Sequence, residues 1–249
     1  MNRIFKLTTW AAALMAVAFS VQSCDDDDDV YYYYGAWMPN AIVTVKPLDN
    51  GSCYMQLDDS TTLLPVNVPK APYGDKEVRA LVNFQPVATS SASYDKAVYI
   101  NAMDSILTKQ MAPNLGDEEN DRVYGNDPVD IVHDWVTISE DGYLTLHFRA
   151  PWTLDAQPHF VNLISTDNPE DPYELEFRHN AYGDTAGHEE DGLVAFRLDS
   201  LPDTEGQTVK LTLKWRSDGG EESMQFDYCT RKNTVTATVM SAQPGMKLQ

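Results

Sequence analysis

The chain has 249 residues, 38 of them acidic and 18 basic, for a formal net charge of -20. That balance repels nucleic-acid phosphates, and no basic cluster offsets it, so nucleic-acid binding is excluded as a function class. Apolar residues make up 43% of the chain, enough for a packed core and too many for wholesale disorder.

The amino terminus has the three-part layout of an export signal. Arg3 and Lys6 give a short positive region, and residues 7–21 form an apolar stretch too short for a stable membrane span. Small Ser23 then precedes Cys24, which five aspartates follow, Asp25 to Asp29. The run Val21-Gln22-Ser23-Cys24 resembles a lipobox of the looser Bacteroidetes kind, departing from the usual form at Val21 and Gln22. The resemblance implies removal of residues 1–23, diacylation of the Cys24 thiol and acylation of its new amino terminus. Two or more acyl chains anchor a protein durably, at about 0.8 kcal/mol per buried methylene. The expected location is therefore the outer membrane, lipid-anchored through Cys24 and facing the exterior. The aspartate run has two readings, a self-repelling spacer or an export tag resembling that of surface lipoproteins.

Residues 24–39 read as an acidic tether that ends in four tyrosines, Tyr31 to Tyr34, and Gly35. From residue 41 the signals are those of strands. Residues 41–46 are rich in β-branched side chains, and Asn50-Gly51 is a strong hairpin signal leading into a return strand at 52–57. Further strands are expected at 61–68, 77–87 and 97–108. In the second of these, Val78, Ala80, Val82 and Phe84 alternate with Arg79, Leu81 and Asn83, a pattern of burial mainly on one face. Five short strands fit a small barrel of the OB type over residues 40–112.

Residues 113–127 carry Pro, Gly, Asn and acids and read as a domain linker. Beyond it, strands are expected at 129–139, 143–149, 160–165, 173–179, 192–199, 208–215 and 223–228, with residues 234–239 as a further edge. No segment shows helical periodicity. The expectation is an antiparallel β-sandwich over 128–249, and an all-β chain as a whole.

The segment from Asp49-Asn50-Gly51 to Leu63-Leu64-Pro65 is similar to the opening hairpin of NigD-like lipoproteins. Similar too are Val78-Arg79-Ala80-Leu81-Val82-Asn83-Phe84 and Ile106-Leu107-Thr108-Lys109. In the second half, Asp134-Trp135-Val136, His159-Phe160-Val161-Asn162-Leu163 and Leu175-Glu176-Phe177-Arg178-His179-Asn180 resemble that family's C-terminal domain. The resemblance implies an N-terminal OB-like barrel, a C-terminal β-sandwich and a lipid anchor. It implies no catalytic residue, and the association with bacteriocin immunity comes from gene neighbourhood.

Chemistry-bearing residues are scattered. With Cys24 lipidated, Cys53 and Cys229 are expected to be free thiols, with a bridge as the alternative. The five histidines, His133, His147, His159, His179 and His188, show no zinc spacing, although His179 and His188 flank Asp184. The acidic runs Asp117-Glu118-Glu119-Asn120-Asp121 and Asp167-Asn168-Pro169-Glu170-Asp171 lack the glycine and distal glutamate of an EF-hand loop. No metal or cofactor is expected. No Gly-x-Ser-x-Gly or comparable motif supports a nucleophile, so a glycosidase or esterase is the weakest reading. Trp135 and Trp215 are expected in the core, and Trp152, beside Pro151, is the candidate exposed ligand-binding aromatic. The leading expectation is a non-enzymatic surface lipoprotein acting through protein or ligand contacts. The alternative is a glycan-binding accessory lipoprotein.

Overall fold

The computed structural model describes residues 38–231, apart from positions 90, 92 and 155. The leader, Cys24, the aspartate run, the four tyrosines and the expected edge at 234–239 lie outside the described residues.

The first five strands are β1 (Ala41–Pro47), β2 (Cys53–Gln56), β3 (Thr62–Pro65), β4 (Val78–Pro86) and β5 (Lys96–Ser105). They close into a barrel in the order β1-β2-β3-β5-β4, with β3 and β5 parallel and the other pairs antiparallel. Turn chemistry sets the first register. Asn50 accepts a hydrogen bond from the Ser52 amide at 3.0 Å, and Gly51 takes φ 79°, a conformation open to glycine without strain. Asp58 does the same at the next turn, accepting from the Ser60 and Thr61 amides at 2.8 and 2.7 Å. Val43, Val45, Met55, Leu63, Ala80, Val82 and Val98 fill the barrel.

The one-face expectation for β4 needs correcting. Arg79 and Leu81, on its other face, are as deeply buried as Ala80 and Val82. The reason is a second layer: Ile42, Leu81 and Ile106 of the barrel pack on Val136, Tyr143 and Ala195 of the following domain.

That domain contains β6 (Leu107–Gln110), α1 (Asp117–Tyr124), β7 (Asp130–Ile131), β8 (Ile138–Glu140), β9 (Tyr143–Trp152), β10 (Phe160–Ser165), β11 (Glu174–Asn180), β12 (His188–Arg197), β13 (Val209–Ser217) and β14 (Gly220–Tyr228). One sheet runs β6-β12-β9-β7 with β8 also on β9, and the other runs β10-β11-β13-β14. Between them lies a core of Leu144, Leu146, Leu163, Leu175, Phe177, Phe196, Leu211, Leu213 and Trp215.

Three further expectations change here. Residues 107–110 do not extend the barrel, because β6 pairs in parallel with β12 from Val194↔Leu107 to Arg197↔Gln110. The barrel thus ends at Ile106 rather than 112. The expected linker contains a helix. Its first turn carries Asp117, Glu118 and Glu119, which suit the positive end of the helix dipole, and Gly116 and Gly125 flank it. Only Asn120 and Tyr124 are buried, so no apolar stripe announces it. Polar contacts pin it instead: Asn120 donates to Asn114 at 2.8 Å, the Tyr124 hydroxyl donates to the Pro113 carbonyl at 3.0 Å, and Arg178 pairs with Asp121 at 2.6 Å. Finally, the expected strand 129–139 is interrupted, because Asp134 caps a turn by accepting from the Val136 and Thr137 amides at 2.9 and 3.3 Å.

A buried polar network joins the two domains. Arg79 donates to Glu140 at 2.7 Å, Thr44 at 3.1 Å and Thr145 at 3.4 Å. Lys46 pairs with Asp141 at 3.0 Å, and Arg231 reaches Glu77 at 2.6 Å and the Asp141 carbonyl at 2.7 Å. Tyr143 donates its hydroxyl to Glu77 at 2.7 Å and accepts from Arg197 at 2.7 Å. The guanidinium groups of Arg231, Arg197 and Arg79 lie 5.0, 5.3 and 5.8 Å from the Tyr143 ring centre, within cation–π range.

Candidate functional site

The residues with chemistry fall into two clusters in the sandwich. Each is built on strands whose register brings together side chains that are distant in sequence.

The first surrounds His147 on β9. Its Nδ1 lies 2.8 Å from Asp134 and its Nε2 3.2 Å from Asp191, while Arg149 donates to the same Asp191 oxygen at 2.9 Å. A carboxylate at each ring nitrogen demands a proton on each, so the geometry favours imidazolium. Burial of the ring works to lower its pKa, but the hydrogen bond and charge of Asp134 and the charge of Asp191 outweigh burial and raise it. Asp134 is held below the ordinary carboxylate range: burial opposes this, and the His147 hydrogen bond and charge prevail. The Thr137 hydroxyl, which donates to the Val132 carbonyl at 2.6 Å, accepts from the His147 amide at 3.1 Å and so ties the turn to β9.

The second cluster surrounds Trp152, at the end of β9 in register with His188. Trp152 is half-buried. Its ring packs on His159, with centroids 4.7 Å apart at 47°, which leaves less open area for sugar stacking than a solvent-exposed ring. The chain approaches so closely here that a Cβ at Gly187 would lie 2.0 Å from the Trp152 carbonyl, so only glycine fits without a shift. His159 Nδ1 lies 2.9 Å from His179 Nε2, and His179 Nδ1 lies 3.1 Å from the Pro128 carbonyl. Burial, with the neighbouring His159, pushes the His179 pKa down, so this ring is neutral. Asp184 faces His159 at 3.5 Å and accepts from the Thr153 amide at 2.8 Å and hydroxyl at 2.6 Å. Those Thr153 bonds hold its carboxyl below the ordinary value.

The other candidates separate. Trp215 is in the core as expected, but Trp135 is 45% exposed, a correction that follows from the Asp134 turn lifting it out of the sheet. Tyr173 is half-buried with its ring 6.0 Å from Tyr228, and Tyr182 is exposed. Cys53 is buried in β2, Cys229 follows β14, and both are free. The acidic run at 117–121 is helical and partly consumed by Arg122 and Arg178. In the 167–171 run, Asn168 and Asp171 accept from the Glu170 and Tyr173 amides. Among the described residues, no group of three or more His, Cys, Asp or Glu side chains converges on a metal position. An open groove of about 680 Å³ runs along the domain seam between Tyr73, Lys76 and Glu77 on one side and Thr108, Lys109 and Arg197 on the other.

Sequence reasoning placed His179 near Asp184 but missed His159 as the partner of both. The missing signal is strand register: Phe160↔Asn180 and Val161↔His179 on β10 and β11 bring residues 159 and 179 together.

A five-stranded closed barrel leading directly into a two-sheet sandwich defines the class as a two-domain all-β protein. Residues 42–106 match the NigD-like N-terminal OB domain, and residues 111–228 match the NigD-like C-terminal beta sandwich domain. The chain belongs to the NigD-like family. It is similar to a protein from Parabacteroides distasonis described as toxin-related, with 40% identity, a TM-score of 0.65 and coverage of 76% of this chain and 92% of that one. A NigD-like immunity protein from Bacteroides caccae shares the fold at 20% identity and a TM-score of 0.54, covering 76% and 96%. So does a protein from Bacteroides fragilis described as a lipoprotein, at 15% identity and a TM-score of 0.52, covering 77% and 98%. No curated protein matches the chain.

Proposed function

We propose that this chain is a lipid-anchored outer-membrane protein, displayed on the cell exterior, that acts by binding a protein or small ligand rather than by catalysis. The observation that carries the reading is Cys24 at the end of an export leader and before a charged tether. The Bacteroides fragilis protein described as a lipoprotein agrees with it. The binding role is supported by how the polar side chains are used. His147, Asp134 and Asp141 are tied into ion pairs that hold turns and domains, whereas catalytic groups are poised in a cleft. Cys24→Ala is expected to abolish lipid labelling and to release the protein from the membrane fraction. Labelled, membrane-bound Cys24→Ala protein would refute the anchor. Protease treatment of intact cells tests the outward orientation, which predicts loss of the protein while periplasmic proteins survive.

Bacteriocin immunity is the narrower form of this reading, motivated by the immunity and toxin-related descriptions of two similar proteins. Deleting the gene should then sensitise cells to toxins of neighbouring strains, and unchanged sensitivity removes this narrower form.

A further inference from the structure

At the end of β9 away from the domain seam, two turns carry residues that turn chemistry disfavours. In one, the Ala156 amide donates to the Thr153 carbonyl, and in the other the Asp184 amide donates to the Ala181 carbonyl, each at 3.0 Å. Turn corners ordinarily hold Gly, Asn, Asp, Ser or Pro. Here they hold Leu154, 84% exposed, and Tyr182, 49% exposed. Tyr182 also takes φ 52°, next to Gly183 at φ 84°, a left-handed pair for which Asn-Gly is the natural choice. A bulky side chain strains the backbone there. No packing offsets either choice, because neither residue belongs to a core cluster.

The two corners form one fixed feature. Thr153 donates its amide and its hydroxyl to Asp184, at 2.8 and 2.6 Å, so the turns are joined side by side. Two apolar side chains are thereby held outward on a braced frame. Such a projection does not suit a small molecule, whose sites are concave and enclose most of the ligand. The concave surface must lie on the partner, and the partner is a macromolecule.

The charge of that partner follows from the surroundings. Residues 151–159 and 181–190 contain no Lys or Arg. Glu189 and Glu190, in register with Pro151 and Ala150, are exposed and enter no ion pair among the described residues. A matching surface is basic, whereas nucleic acid or an anionic lipid surface is repelled.

We propose that Leu154 and Tyr182 form a plug that enters an apolar pocket on a protein partner, with Lys or Arg side chains around that pocket meeting Glu189 and Glu190. The inference rests on the reading of the chain as a binding protein and gives that reading a surface.

Benzoylphenylalanine, a photo-crosslinking residue, tests it when placed at position 154 or 182 of the full chain. The cells are irradiated intact, alone and mixed with neighbouring strains. Both positions should give the same protein adduct, and Val66 on the barrel, 44% exposed, should not. Glu189→Lys combined with Glu190→Lys should cut the adduct from position 154 by roughly tenfold or more. Tyr182→Asn separates recognition from folding. It suits the left-handed turn, so the melting temperature should not fall while the adduct from position 154 does. The same adduct from Val66, or one indifferent to charge reversal, overturns the plug but leaves the chain a binding protein. A lower melting temperature for Tyr182→Asn makes Tyr182 a folding residue and also overturns it. Adducts from none of the three positions overturn the plug and count against the binding reading as well.

Discussion

Replacing Arg79 with Met is expected to cost about 3–5 kcal/mol, the usual penalty for stranding one partner of a buried ion pair. Arg79 is fully enclosed, and its guanidinium meets Glu140 at 2.7 Å with Thr44 and Thr145 beside it. Methionine keeps much of the volume but leaves Glu140 without its counter-charge. Burial already pushes the Glu140 carboxyl up, and the Arg79 charge and hydrogen bond pull the other way. Without Arg79 the carboxyl must take a proton or open the seam to water. Urea unfolding should show the loss, and calorimetry should show barrel and sandwich melting apart. Adding Glu140→Gln removes the stranded charge and should recover part of the stability. A single variant within about 1 kcal/mol of the unaltered protein, or a double variant no better than the single, sinks the assignment.

The second large effect is a pH dependence centred on His147. In the unfolded chain the imidazole titrates near 6.5, and the fold raises that value through Asp134 and Asp191 despite burial. The folded state therefore holds the proton more tightly. Its stabilisation is complete below about pH 6.5 and is lost as pH rises through the higher folded value. Every tenfold gain in proton affinity is worth about 1.4 kcal/mol. His179 works in the opposite sense: its folded pKa is lowered, so its contribution is lost as pH falls below 6.5. The difference in stability between the unaltered protein and His147→Gln isolates the first effect. It should be largest in acid and shrink from neutral toward pH 9. The Asp134 turn should loosen in parallel, and exposed Trp135 on that turn reports it by fluorescence. A difference that stays flat or grows with pH contradicts the doubly paired imidazolium.

The barrel was legible because local chemistry announces it. Asn50-Gly51 and Asp58 set turns within a few residues of the strands they join. The alternation in β4 correctly put Val78, Ala80 and Val82 on one side, but it gave no sign that Arg79 and Leu81 would be covered too, since their cover comes from Tyr143 and Ala195 much later in the chain. Helix α1 was invisible for the opposite reason, as polar side chains rather than an apolar stripe hold it. Trp135 was misjudged because one side-chain cap, Asp134, diverts a run of otherwise strand-like residues. Partners such as Glu77 and Arg231, or His159 and Asp184, meet only through tertiary register, and no spacing rule reaches that far.

The boundary between the domains has a mechanical meaning. β5 ends at Ser105, β6 begins at Leu107, and the single residue between them, Ile106, is buried and donates its amide to the Arg79 carbonyl at 2.8 Å. There is no slack in which a hinge could work. Moving one half against the other would mean breaking the buried seam around Arg79 and Tyr143 rather than flexing a linker. The sandwich is thus set on the barrel by a one-residue connection and by the ion pairs Arg79–Glu140 and Lys46–Asp141, so its orientation is written into the seam itself.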